Sequence, residues 1–369
     1  MELENLSKER VMLNNISVYG YKSIKKLENF KLNNINILIG INGSGKSNII
    51  SIFKLLNNIY NRQLQSYSLK SNIDSMFYMG TKNTKNIVLE FEFNDNQNKY
   101  KIELKATDDN NIVIAKDVFD YHKSTHVYKI TENKLESDMQ DAKYIIKSPK
   151  VAIHCLKAIK QWKVYHFHDT SDDSPMKRQC TNNDDLIFKP DASNLVAYIR
   201  MIYKKYRQHY NLIVSTIQDV APYFGGFVIR DDENIQLEWF HKSDPDTALK
   251  AHMLSDGTLR FICLAVLLLQ PTKLMSDLIL IDEPELGLHP YAIEKLVGLI
   301  RRLDNKKQFI ISTQSVEFLN YFSADEIVVV ENKENQSQLE RLDNEKLKVW
   351  LEDYSLGEVW NSNIIGGRP

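Results

Sequence analysis

Gly40-Ile41-Asn42-Gly43-Ser44-Gly45-Lys46-Ser47, followed by Asn48, has the residue types and spacing of the G-x-x-x-x-G-K-[ST] phosphate-binding loop. Glycines let backbone N–H groups curl around an anion, and a helix that starts directly after them adds its dipole. Lys46 is then placed to reach the β- and γ-phosphates of a nucleotide, and the Ser47 hydroxyl to ligate Mg²⁺. Such a loop works only between a strand and a helix. Ile35-Asn36-Ile37-Leu38-Ile39 before it reads as a buried strand, and Asn48 to Leu56 after it is apolar at helical spacing. A chance turn is the competing account. Gly is scarce, 13 of 369 residues, yet Gly40, Gly43 and Gly45 crowd into this one loop, which argues against chance.

A second set of chemical groups lies far along the chain. Leu278-Ile279-Leu280-Ile281-Asp282-Glu283-Pro284-Glu285 sets an apolar run before paired carboxylates, the pattern of a central strand that delivers acids to one edge of a sheet. There Asp282 would hold Mg²⁺ together with Ser47, and Glu283 would orient and polarise an attacking water. Leu254-Ser255-Asp256-Gly257-Thr258-Leu259-Arg260 precedes the apolar run Phe261 to Leu269 and reads as a capped turn opening a buried helix. Gln308 to Ser315 is another buried strand ending in polar groups. In Val164-Tyr165-His166-Phe167-His168-Asp169, strand alternation puts His166 and His168 on one face, which raises a metal site with His154 as a third ligand. Imidazoles bonded locally are the simpler reading, because no third ligand stands at firm spacing.

The elements that must carry these groups are legible in outline. Ile16 to Tyr19 and Leu27 to Leu32 suggest strands leading into the loop, and residues 61 to 85 read as irregular or surface structure. Ile87 to Phe93, Tyr100 to Leu104, Ile112 to Ala115 and Val127 to Ile130 alternate with period two between Asn/Asp clusters, as a meander of hairpins would. Ala152 to Ile159 is helical. Leu195, Ile199, Ile202, Tyr206, Ile213, Ile217 and Val220 form one stripe, which predicts a single long helix capped at Ser193 or Asp191 and ended by Pro222. Its other side carries Arg200, Lys204, Lys205 and Arg207 among aromatics, either a nucleic-acid track or, more simply, a solvated face. Phe227 to Ile229 and Ile235 to Trp239 suggest a hairpin. No heptad run is long enough for an extended coiled coil.

Bulk composition narrows the class. Forty-seven Lys+Arg against 48 Asp+Glu give a net charge of −1, so whole-chain charge offers no pull toward nucleic acid or membrane. Cys155, Cys180 and Cys263 form no CxxC pair or zinc spacing, the acidic start Met1-Glu2-Leu3-Glu4-Asn5 is no secretory signal, and Phe261 to Leu269 is too short to span a bilayer. A cytoplasmic protein without a membrane partner is expected.

The order of phosphate loop, Leu-Ser-Asp-Gly-Thr, Ile-Asp-Glu-Pro-Glu and Ser-Thr-Gln-Ser resembles an ABC-type ATPase head. It is similar in particular to the RecF/SMC-related group that includes the ATPase halves of OLD-type proteins. Tyr165 to Thr170, Leu286-Gly287-Leu288-His289-Pro290 and the terminus from Trp350 to Pro369 look like a family of stand-alone bacterial ATPases. The resemblance implies an α/β P-loop NTPase head with a mixed sheet, an antiparallel β subdomain and a helical subdomain. It implies one ATPase domain over 1–369, with an N-terminal lobe at 1–130, a helical/β insertion at 131–250 and a C-terminal lobe at 251–369.

It also implies ATP and Mg²⁺ as cofactors, ATP being sandwiched in a homodimer or higher homo-oligomer. Gly40, Asn42, Gly43, Ser44, Gly45, Lys46, Ser47 and Asn48 would hold ATP from one subunit. Ser255, Asp256 and Gly257 of the other would meet the γ-phosphate, and Leu286, Gly287 and His289 would link the two sites. Glu283 and Gln314 take the catalytic and switch positions. Two departures stand out: the signature is Leu-Ser-Asp-Gly-Thr, and the switch is Gln314, an amide that carries no proton charge. Slow turnover is expected. The glutamine loop has only Gln63 and Gln65 as candidates. The implied function is a switch gating an effector encoded nearby, a Toprim-like nuclease in antiphage defence. A RecF-like DNA clamp in repair is the alternative, with a transporter subunit a distant third.

Overall fold

The computed structural model describes residues 10–94, 97–109, 111–121, 127–141 and 149–367, with side chains of 149–154 excluded. His154 as a metal ligand, the Met1 to Asn5 start, the turn residues Asp95, Asn96 and Asn110, and the terminal Arg368 and Pro369 fall outside the described residues. The chain divides into two units: Met1–Val164 with Ser276–Leu280 and Lys307–Pro369, and Tyr165–Met275 with Ile281–Lys306.

In the first unit, β-branched runs form the centre of a mixed sheet. Its strand order is Gln336–Arg341, Ile327–Lys333, Ile35–Ile39, Gln308–Thr313, Leu278–Asp282, Val164–Tyr165, and the last two strands run on into the second unit. Ile35–Ile39 pairs in parallel with both Gln308–Thr313 and Ile327–Lys333, and every residue of the first two strands is buried. That is why they read as continuous apolar runs rather than alternating ones. Gln336–Arg341 closes the edge as an antiparallel hairpin with Ile327–Lys333.

A second, wholly antiparallel sheet runs Ile24–Lys31, Leu13–Tyr21, Asn86–Phe93, Asn98–Ala106, Ile112–Tyr121, Val127–Thr131. Asn86–Phe93 alternates strictly between half-buried and buried residues, so one face supplies core. Against that face lies the helix Lys46–Tyr60. Its Phe53 meets Phe91 and Trp162 edge-on, with ring centroids 6.3 and 5.1 Å apart, which anchors the helix that follows the phosphate loop. Residues 61–85, expected to be irregular or surface structure, hold two short helices, Leu64–Ser71 and Ile73–Met76. Buried Leu64, Ile73 and Met76 and the Glu136 carboxylate, which accepts the N–H groups of Leu64 and Gln65, stabilise them.

The second unit is mainly helical. Helix Asp256–Leu269 is buried nearly all round and packs against Arg207–Val220 and Pro290–Leu303. The expected single long helix is two, Leu195–Lys205 and Arg207–Val220, broken at Tyr206, whose φ of −140° and ψ of 56° leave the helical region. The apolar stripe continues through the break because both pieces face the same core. The cap differs as well: Asn194 holds the N-cap position, while Asp191 accepts the N–H of Ser193. Phe224–Val228 pairs with Glu238–His241, and an exposed third strand, Asp244–Lys250, flanks them. Asn234–Ile235 pairs instead with Cys180–Thr181. Among the described residues the longest helix has fifteen residues, so no long coiled coil is present, and no helix is long and apolar enough to cross a membrane.

Candidate nucleotide site

The phosphate loop joins the buried strand Ile35–Ile39 to the helix Lys46–Tyr60, as its motif requires. Gly45 is the N-cap, with φ of 111°, and no side chain caps the helix. Its leading N–H groups are therefore not claimed by the usual Ser or Asp oxygen. The glycines have separate reasons. A Cβ on Gly40 would lie 2.2 Å from the Val330 carbonyl oxygen, and one on Gly45 only 1.9 Å from Ser337 Oγ. Gly43, with φ of 83°, has nothing within 4 Å of that position. Two glycines thus face packed protein and the third faces open space.

Lys46 is buried, and its Nζ donates to the carbonyls of Gly40 at 2.6 Å and Ile41 at 3.0 Å. Ser44 Oγ is buried without a hydrogen-bond partner. An uncapped helix start, an opening above Gly43 and an orphaned hydroxyl fit a polyphosphate. Thr313 pairs with Ile39, so Gln314 follows its strand at the same sheet edge where Gly40 follows the other.

Remote segments hold this loop, and sequence reasoning missed them. Ser337 Oγ donates to the Ser44 carbonyl at 2.7 Å, Ser23 Oγ lies 2.7 Å from Ser337 Oγ, and Asn48 Nδ2 donates to Ser23 Oγ at 2.7 Å. The Gly367 carbonyl accepts the Ile41 N–H at 3.2 Å, and Glu331 accepts the Gly367 N–H. Only the Gly-Gly pair at 366–367 could have drawn attention in the sequence. Of the two glutamine-loop candidates, Gln65 is tied into the fold, its Nε2 donating to the carbonyls of Ile112 and Leu135.

In the second unit, Asp282 ends its strand half-buried, and Glu283 follows with φ of 44°. A β-carbon-bearing residue in that region is strained by about 1–2 kcal/mol and persists only where neighbours hold it. His168 Nε2 lies 2.9 Å from the Asp282 carbonyl oxygen, a bond that requires its proton on Nε2. His166 and His168 do not sit on a strand, which stops at Tyr165, although their rings are 6.3 Å apart. Among the described residues no group of three His, Cys, Asp or Glu could hold a metal ion.

Ser255 caps the helix Asp256–Leu269, accepting the Thr258 N–H at 3.2 Å, and both Ser255 and Asp256 are exposed. Gly257 and Gly287 let this helix start meet the turn after the acids, since a Cβ on Gly257 would lie 2.5 Å from the Gly287 carbonyl oxygen. His289 caps the next helix by accepting the Tyr291 N–H. Arg260, unassigned from sequence, donates to the carbonyls of Phe167, His168 and Leu286 and to Thr170 Oγ1. The basic face of Arg200 to Arg207 is partly neutralised. Arg200 and Lys204 share Asp231, and the Arg207 guanidinium lies 4.1 Å from the Tyr203 ring centroid.

Comparison with known proteins fits this architecture. Three solved SMC heads share the fold. One, an SMC head bound to the C-winged helix domain of ScpA, has TM-score 0.59 and 16% identity over 90% of this chain and 99% of that one. Another, a head with an extended coiled coil bound to the C-terminal domain of ScpA derived from Pyrococcus furiosus, has TM-score 0.57 and 15% identity over 93% and 99%. The SMC head domain from Thermotoga maritima has TM-score 0.50 and 14% identity over 90% and 99%. No curated protein matches the chain. Residues 35–141 and 164–320, well over half of its length, match the family described as AAA domain, putative AbiEii toxin, type IV TA system. With the mixed sheet, phosphate loop and acid-tipped strand in place, the chain belongs to that AAA-domain family and shares its fold with SMC heads.

Proposed function

We propose that the protein is an ATP-binding and hydrolysing switch whose ATP is held between two copies of the chain and whose assembly gates a partner effector. The observation that carries this reading is the contrast between a prebuilt phosphate loop and a helix start whose Ser255 and Asp256 are left exposed, with Gly257 packed against Gly287. Met253, Leu286 and Tyr291 are exposed apolar side chains at 60%, 43% and 44% on the same unit, surface that a second copy would cover.

In this reading Gly40 to Asn48 cradle the phosphates, Lys46 leaves its own loop carbonyls to meet the β- and γ-oxygens, and Ser47 and Asp282 hold Mg²⁺. The metal would neutralise phosphate charge as it develops. Glu283 orients the attacking water. Gln314 reads the γ-phosphate through its amide, which favours slow turnover. Ser255, Asp256 and Gly257 act across the interface, with Leu286, Gly287 and His289 linking the paired sites.

The effector proposed is a Toprim-like nuclease encoded nearby, acting in antiphage defence within the cytoplasm. The repair-clamp alternative is less favoured, because Arg200 and Lys204, two of its backbone-binding cations, already share Asp231.

Light scattering on Glu283→Gln protein with ATP and Mg²⁺ tests the core of the proposal. The expected result is a doubled mass with ATP, absent with ADP and absent in Lys46→Ala. An unchanged mass in ATP at micromolar protein would reject the sandwich.

A further inference from the structure

We propose that Arg260 is the positioning residue through which engagement of the Ser255–Gly257 helix start is transmitted to Asp282 and Glu283. The inference rests on the sandwich reading above and specifies how that site is controlled.

Arg260 lies on the first turns of helix Asp256–Leu269, so a shift of the helix start moves its guanidinium. Its Nε donates to the Phe167 carbonyl at 3.2 Å, and Nη1 donates to the Leu286 carbonyl at 3.1 Å. Nη2 donates to the His168 carbonyl at 2.9 Å and to Thr170 Oγ1 at 3.3 Å. Among the described residues none of these acceptors is a carboxylate. A charged group half-buried against four neutral oxygens is not there as an ion pair. Its planar fork ties its own helix to two segments, 167–170 and Leu286, that a single ammonium cannot span together.

Two routes run from this fork to the acids. His168 accepts Arg260 on its carbonyl and donates from Nε2 to the Asp282 carbonyl 2.9 Å away. Leu286 accepts Arg260 on its carbonyl and gives its own N–H to the Glu283 carbonyl at 3.3 Å. Glu283, with its φ of 44°, is therefore held from the residue before it and from three residues after it. Such backbone strain persists only when neighbours over-determine it. Lys177 Nζ donates to the Thr170 carbonyl at 2.6 Å, which stops segment 167–170 from yielding at its far end. The packing leaves little slack: a Cβ on Gly287 would lie 2.2 Å from Arg260 Nη1.

The test compares Arg260→Gln and Arg260→Lys with the parent. In nucleotide-free protein, amides in 167–170 and 285–289 should exchange at least ~10-fold faster in Arg260→Gln, while those of helix Lys46–Tyr60 stay unchanged. Fluorescent ATP analogue should bind within ~3-fold of the parent, and hydrolysis should fall by ~10-fold or more. Arg260→Lys should recover little, because charge without the fork does not join the segments. In the Glu283→Gln background, Arg260→Gln should abolish the ATP-dependent mass increase.

Unchanged exchange, or faster exchange with normal hydrolysis, overturns the proposal. Recovery of hydrolysis by Arg260→Lys to the parent level overturns the fork. Should Glu283→Gln itself fail to assemble with ATP, the sandwich falls, and exchange and hydrolysis still decide the part played by Arg260. If Arg260→Gln does not fold, Arg260→Lys carries the test: exchange in 167–170 and 285–289 must still rise and hydrolysis must still fall.

Discussion

Two helix starts in this protein are built on opposite plans. The helix after the phosphate loop begins at Gly45 with no capping side chain, and its lysine is buried against loop carbonyls. The helix at Asp256 begins with an exposed Ser255 that already satisfies the Thr258 N–H. The first start is a standing receptor, kept open by glycines and braced by Ser337, Ser23 and Gly367. The second satisfies itself through its own cap, so in the proposed sandwich it suits a contact made only when a second copy arrives. What holds the two starts differs accordingly: the first is braced from Ser337, Ser23 and Gly367, the second is capped locally by Ser255.

The comparison can be broken most sharply at Gly45. Gly45→Ala should lower stability by ~3 kcal/mol or more and abolish nucleotide binding, because φ of 111° and the Ser337 contact both forbid a Cβ. Gly43→Ala meets no atom and should cost only the conformational strain, ~1–2 kcal/mol. Thermal unfolding of both proteins checks the ranking, and equal losses would contradict the separate roles given to the two glycines.

A pH test asks whether the receptor's unit carries its own hidden cost. Burial pushes the Asp117 carboxyl up to about 6, against hydrogen bonds from Ser137 and Thr131 that pull it down. The folded state therefore keeps a proton that the unfolded chain has lost. Its contribution is full below the ordinary carboxylate range and disappears as pH rises through about 6. Asp117→Asn should gain stability over the parent, by on the order of 2 kcal/mol more at about pH 8 than at about pH 4.5, in denaturant titrations. A pH-independent difference would remove the buried acid from the account.

Ser255→Ala tests the recruited start. It should cost ~1 kcal/mol of stability, leave ATP affinity within ~3-fold and weaken ATP-dependent assembly. Loss of ATP binding in the isolated subunit would erase the distinction between the two starts. The smallest effect is expected at Ser337→Ala. Losing its bond to the Ser44 carbonyl should reduce ATP affinity by only ~3–10-fold, with assembly at saturating ATP preserved. Calorimetry with ATP reads both.

What is contiguous in the chain was legible in it. The strand, glycine loop and helix from Ile35 to Tyr60 and the acid-tipped strand Leu278–Asp282 declare themselves because burial on both faces demands unbroken apolar runs. Periodicity could not see the break at Tyr206, since both helices keep one core face, nor the strand Asp244–Lys250, which is mostly exposed and so does not alternate. Of the site, residue types and spacing determined the phosphate cradle, the acid pair and the Ser255 cap. Tertiary structure alone decided what restrains them. Ser337 reaches Ser44 from 293 residues away, and Arg260 bridges Phe167 and Leu286 across separations of 93 and 26. No local pattern records such bonds, because a hydroxyl or guanidinium finds its acceptors only after the chain has folded.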